Sequence, residues 1–224
     1  YIIFGVRACD ARALSILDRV FLEGEYRDTC YGARRERMLI IAMSCDNPSP
    51  TCFCTSFGID PFCSDADVQF TRLSNGYLVE SLSERGKALM EKLKPLLEDA
   101  GEQAMVEKEA LREKALNRMT RRMKIEGVDK KLGQIYDSEY WKKISMKCLG
   151  CGICTFLCPT CHCFDIQDEM ALWQGRRVRI WDSCMYSEYT LHASGHNPRP
   201  TRMHRLRNRV YHKFKYMPDN IGVF

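Results

Sequence analysis

The chain has 224 residues, with 34 basic against 29 acidic side chains for a formal charge of +5. That length suits one or two domains, and the mild charge gives no reason to invoke nucleic acid as a partner. Thirteen cysteines are many for this size, but the number is odd and they bunch as CxC and CxxC, which favours metal binding in a reducing compartment over a disulfide framework. No stretch reaches 18 apolar residues, so no span is expected. The start at Tyr1 and the stop at Phe224 read as an internal piece of a longer polypeptide.

The apolar runs Ile2–Val6 and Leu39–Met43 read as strands of a parallel sheet covered on both faces. Between them, residues 11–21 place Leu14, Leu17 and Phe21 on one helical face, with Asp10 as the expected N-cap. Together these make a right-handed βαβ unit. Residues 67–73 and 77–80, joined through Ser74-Asn75-Gly76, read as a hairpin. Residues 83–145 are charged and helix-prone, with Pro95 interrupting the first helix. Their Glu/Lys/Arg-rich part reads as a solvated helical connector or a partner-facing arm, without a function in its charges.

Cys148-Leu-Gly-Cys151-Gly-Ile-Cys154-Thr-Phe-Leu-Cys158-Pro159 follows. This C-x2-C-x2-C-x3-C-P run is the ligand pattern of a bacterial ferredoxin. Two-residue spacers let three thiolates wrap an iron–sulfur cube, and Gly150 and Gly152 let the backbone approach it. The fourth cysteine, three residues on and before a proline, is expected to reach a different cluster. Zinc usually takes two separated pairs, so an iron–sulfur centre is the better reading. Cys161 and Cys163 are expected to pack beside the cluster, with tuning it or substituting as ligands the alternatives, Cys184 stands between a structural and a site role, and His162 reads as a hydrogen-bonding neighbour. Gln174-Gly175 reads as a turn and 177–181 as a strand. The basic segment 196–215 reads as a docking face or a solvated helix, with nucleic-acid binding as the minor alternative.

A second set of cysteines lies in the N-terminal half. Cys9 and Cys45 each follow a predicted strand, at the carboxyl edge where open α/β sheets place ligands. Cys52 and Cys54 lie on a Pro-rich loop that can return to that edge. These four are expected to hold a further 4Fe–4S cluster. The alternative is that they are small buried hydrophobes. Cys30 and Cys63 lack such placement and are expected to be structural. The organisation expected is an α/β iron–sulfur domain over 1–82, a helical connector over 83–145 and an α+β ferredoxin-like unit over 146–224.

Gly5-Val-Arg-Ala-Cys9-Asp10, Met43-Ser-Cys45-Asp-Asn-Pro48, Thr51-Cys-Phe-Cys-Thr-Ser-Phe-Gly58 and Cys158-Pro-Thr-Cys-His-Cys-Phe-Asp165 resemble the 4Fe–4S dicluster electron-transfer subunits. Ser194-Gly195-His196-Asn197-Pro198-Arg199 fits the same pattern. That group includes the beta subunit of cytoplasmic sulfhydrogenases and the A subunit of anaerobic sulfite reductase. The N-terminal half is more distantly similar to beta subunits of deazaflavin-dependent hydrogenases. The resemblance implies a second cysteine run beyond Phe224, which would supply the fourth ligand to Cys148, Cys151 and Cys154 and the companions of Cys158. Two or three clusters follow from it, counting a site so completed. It also implies a cytoplasmic electron relay between a flavin or ferredoxin-type donor and a hydrogenase or sulfite reductase subunit, with flavin on this chain or a partner. A flavin-binding reductase acting on a small substrate is the first alternative, and a cluster-containing regulatory or nucleic-acid-binding protein the second. No Ser/His/Asp set, P-loop or G-x-G-x-x-G is present to suggest other chemistry.

Overall fold

A computed structural model describes residues Tyr1–Phe224. The chain divides into two compact units, Tyr1–Ile125 and Glu126–Phe224. The stretch read as a connector is therefore divided between them.

The first unit is built on a four-stranded sheet in the order β1 (Ile2–Val6), β2 (Leu39–Met43), β3 (Val68–Leu73), β4 (Gly76–Ser81). β1 and β2 are parallel, β2 and β3 are parallel, and β3 and β4 form an antiparallel hairpin. Helices α1 (Ala8–Leu22) and α2 (Thr29–Glu36) complete the expected βαβ connection between β1 and β2. Ala11 of α1 packs with Ile40, Ala42 and Ala66 in the core. β2 is covered as expected. β1 is not: it is the edge strand, and Ile2 and Phe4 stay exposed. Asp10 is not the N-cap either. The helix starts at Ala8 behind Arg7, and Asp10 lies in its first turn.

One buried carboxylate ties this unit together. Asp67 accepts from the Ile40 amide at 2.8 Å and from the Ser83 hydroxyl at 2.6 Å. Ser83 in turn caps α3 (Glu84–Leu93), accepting from the Gly86 amide at 3.0 Å. Gly86 has to be glycine, because a Cβ there would fall 2.0 Å from the Asp67 carbonyl oxygen. Replacing Asp67 by Ala leaves buried donors unpaired and is expected to lower stability by about 3 kcal/mol in urea denaturation. A loss below about 1 kcal/mol would mean that water replaces the carboxylate.

Pro95 ends α3 in a short 3-10 turn, as expected. Helix α4 (Glu102–Arg118) then packs on the unit, so its charges are not idle. Lys108 pairs with Glu80 at 2.7 Å, Arg112 with Asp60 at 2.7 Å, and Glu107 accepts from the Ser74 amide at 2.7 Å. Ala115 and Met119 are fully buried.

The second unit begins with α5 (Val128–Gln134) and α6 (Tyr140–Ser145) and ends with α8 (Arg202–Tyr211) and α9 (Met217–Ile221), the last two joined through a π-helical turn over His212–Tyr216. Leu132, Trp141 and Tyr211 form the core here. The Trp141 indole donates to the Ile135 carbonyl at 2.7 Å, and Tyr136 meets Tyr211 edge-on. Between these helices lie the one-turn helix α7 (Ile153–Phe156) and a hairpin of β5 (Phe164–Ala171) and β6 (Gln174–Trp181). The hairpin turn is Leu172-Trp173, two residues before the expected Gln174-Gly175.

Leu172 is the one non-glycine residue at positive φ, +53°, and it is 93% exposed. A left-handed leucine is strained and here packs against little. Leu172→Gly is therefore expected to raise stability by about 1 kcal/mol in the same assay. A loss of stability would mean that the leucine side chain holds the turn.

Candidate iron–sulfur site

The ferredoxin-like run forms a loop from Cys148 into α7. Gly150 and Gly152 both take left-handed conformations, with φ of +73° and +76°. Gly152 is also confined by Tyr186, whose hydroxyl would lie 2.7 Å from an added Cβ. The Thr155 hydroxyl donates to the Gly152 carbonyl at 2.6 Å and meets the buried Ser183 hydroxyl at 2.6 Å. The loop is thus pinned from below, while Cys151 and Cys154 face solvent and Cys148 is half-buried.

Two arginines of α8 hold the same loop. Arg202 donates to the Cys148 carbonyl at 2.8 Å, and Arg209 donates to the Cys154 carbonyl. Arg209 also reaches the Cys161 sulfur at 3.0 Å. Lys213, on the π-helical turn, bonds the Thr160 carbonyl at 2.8 Å. Cationic donors around thiolates suit an anionic cluster, since hydrogen bonds and charge near the sulfurs set its potential. The basic segment is thus partly turned inward. Arg205 and Arg207 are buried, and Arg207 lies 3.7 Å from the Tyr136 ring centre.

Cys158 is half-buried beyond the loop. A hydrogen bond from Cys161 pulls its thiol well below the ordinary range against the cost of burial, helped by Thr160 and Lys213. The same hydrogen bond raises Cys161. His162 meets the Thr160 carbonyl at 3.1 Å.

In the first unit Cys9 and Cys45 follow the carboxyl ends of β1 and β2, and Cys52 and Cys54 lie on the loop after β2. Arg7 ties that edge, donating to the Ser44 carbonyl at 2.5 Å. Solvent reaches Cys9, yet the protein around it pushes its thiol up to about 11, with Asp10 and Cys54 adding to the rise. Burial likewise raises Cys45, against the pull of Arg7, and the thiols of Cys52 and Cys54 raise it further. Burial and Cys52 raise Cys54. Cys54 thus stands within electrostatic reach of Cys9, Cys45 and Cys52, and Cys45 within reach of Cys52.

The end of α4 covers this group. Met119 lies 3.6 Å from the Cys54 sulfur, the Met123 amide donates to the Ser56 hydroxyl at 2.9 Å, and Arg121 stands over the Phe53 ring. Sequence reasoning missed this cover and also missed Arg7 and Arg209. Arg7 carried a signal, lying two residues before Cys9 at the strand end. Cys30 and Cys63 are exposed.

In neither unit do three or more Cys, His, Asp or Glu side chains stand together as a group that could hold a metal ion in this arrangement. The donor chemistry nonetheless fits an iron–sulfur group. The donors are thiols, Cys151 and Cys154 are open to solvent, and the loop glycines already have the required backbone.

Comparison with known proteins agrees with this donor set. Residues 147–224 match the model of a 4Fe–4S dicluster domain. The chain is 34% identical over 220 residues to the sulfhydrogenase 2 subunit beta of Pyrococcus furiosus. That alignment covers 98% of this chain and 65% of the relative's length. No solved structure gives a significant match. No helix is long and apolar enough to cross a membrane. The resemblance carried by the cysteine motifs thus holds: residues 147–224 match a 4Fe–4S dicluster domain, and nearly the whole chain is similar to a sulfhydrogenase beta subunit over about two thirds of that protein's length.

Proposed function

We propose that the chain is the electron-relay subunit of a multi-subunit anaerobic oxidoreductase of the cytoplasm. It takes single electrons from a flavin or ferredoxin-type donor and passes them to a catalytic subunit, or the reverse. Kinship with a sulfhydrogenase subunit makes a hydrogenase the favoured catalytic partner, ahead of a sulfite reductase. The observation that carries this reading is the loop of Cys148, Cys151 and Cys154 around two left-handed glycines, inside the segment matching a dicluster domain. In this reading those three thiolates hold one cluster, Cys158 serves another, and Cys9, Cys45, Cys52 and Cys54 hold a further one at the sheet edge. When bound, the clusters supply one-electron carriers. The chain positions them, supplies Arg209 and Lys213 as nearby positive charge, and limits water through Met119 and the α4 cover. Bond-making chemistry is left to the partner.

The test is anaerobic. The iron-loaded chain is mixed with reduced ferredoxin, and electron delivery to a viologen dye is followed. Dye reduction that depends on both chain and ferredoxin supports the relay. A chain that releases bound flavin on denaturation and reduces a small substrate unaided would replace this reading with the flavin-reductase alternative.

A further inference from the structure

Cys163 and Cys184 have no part in the reading above. They flank the β5–β6 hairpin at its base, where the Asp182 amide donates to the Cys163 carbonyl at 3.0 Å. Both are buried, 9% and 5% exposed, and they pack with Met185. The two side chains belong to one buried cluster, and Tyr189 packs against it. Cys148 packs against the same cluster, together with Tyr189 and Leu206. A buried cysteine ordinarily serves as a small apolar residue. Two that pack in one small buried cluster at a hairpin base are placed for sulfur–sulfur chemistry, and a bond between them would close a loop that the hairpin already closes.

We propose that Cys163 and Cys184 are a redox dithiol that closes reversibly to a disulfide and exchanges electrons with the cluster carried on Cys148, Cys151 and Cys154. The inference rests on the cluster reading for its electron acceptor. On oxidation two S–H bonds break and one S–S bond forms. Two protons leave to solvent, and two electrons pass one at a time to the oxidised cluster and onward to the partner. On reduction the same steps run backward. The pair thereby stores two electrons beside a carrier that handles one at a time.

The experiment uses the full iron-loaded chain under anaerobic conditions. It is equilibrated in dithiothreitol redox buffers from reducing to oxidising, quenched in acid, alkylated and mapped by mass spectrometry. Acid releases the cluster cysteines as free thiols, so only true disulfides escape alkylation. A Cys163–Cys184 crosslink that appears at the oxidising end and disappears at the reducing end is expected. Cys163→Ser and Cys184→Ser are each expected to keep the parent iron content, lose the crosslink and take up two fewer electrons per chain in a reductive titration from the oxidising end.

Absence of the crosslink at every poise, or crosslinks scattered among other cysteines, would overturn the proposal. So would an unchanged electron count in the variants. Iron loss in either variant would overturn it in favour of a ligand role. The mapping needs only the natural sequence, so it stands even if a variant fails to fold. Iron content is read separately: a chain that loads no iron sinks the cluster reading, while a reversible crosslink in that chain still supports the dithiol.

Discussion

Cys148→Ala, Cys151→Ala and Cys154→Ala are each expected to remove about four irons per chain after anaerobic reconstitution, and the corresponding part of the visible charge-transfer absorption. The loop has no spare thiolate of its own. Cys158 is drawn to Cys161 by a hydrogen bond and lies beyond α7, so it does not replace a lost corner. The folded frame should survive, because Cys151 and Cys154 are exposed and the loop is held by Thr155, Ser183, Arg202 and Arg209. Circular dichroism of the variants should therefore match the parent. Unchanged iron in all three variants would remove the ferredoxin-like site from the account.

The second large effect belongs to the sheet edge. The double variant Cys9→Ala, Cys54→Ala is expected to lose about four irons per chain while keeping the signal of the ferredoxin-like site. These two come from different elements, the start of α1 and the loop after β2, and yet feel each other's charge. A chain in which only chance packing brings them together would show no loss. Loading at this site should also depend on pH. The thiols of Cys9, Cys45 and Cys54 are held above their ordinary range by burial, and metal binding must release their protons. Iron uptake here is therefore expected to rise with pH between 7 and about 9, as measured by iron per chain in the variant lacking Cys148, Cys151 and Cys154. A flat profile would mean that the protons are not what resists loading.

Much of this was legible in the residues. The apolar runs Ile2–Val6 and Leu39–Met43 announced parallel strands, and Asn75-Gly76 announced a hairpin, because each rests on local physics. The cysteine run was legible from spacing alone. What escaped depends on contacts between residues distant in sequence. The parallel pairing of β2 with β3 spans a long cysteine-bearing loop, and no periodicity reveals it. The charges of α4 read as solvated because their partners Glu80, Asp60 and Ser74 lie far back in the chain. β5 was missed because both its faces are largely exposed, which erases the alternation that marks a half-buried strand. Arg209 was hidden among other basic residues, and only the turn of α8 selects it to face Cys161.

The central claim is that this chain carries one-electron clusters on thiolates in two separate places. It is tested most directly by an anaerobic redox titration of the full chain followed by electron paramagnetic resonance. The account predicts at least two reduced 4Fe–4S signals, one lost in the Cys148, Cys151 and Cys154 variants and another lost in the Cys9 and Cys54 double variant. A single signal abolished by both sets of substitutions, or a spectrum with a flavin radical and no cluster, would contradict it.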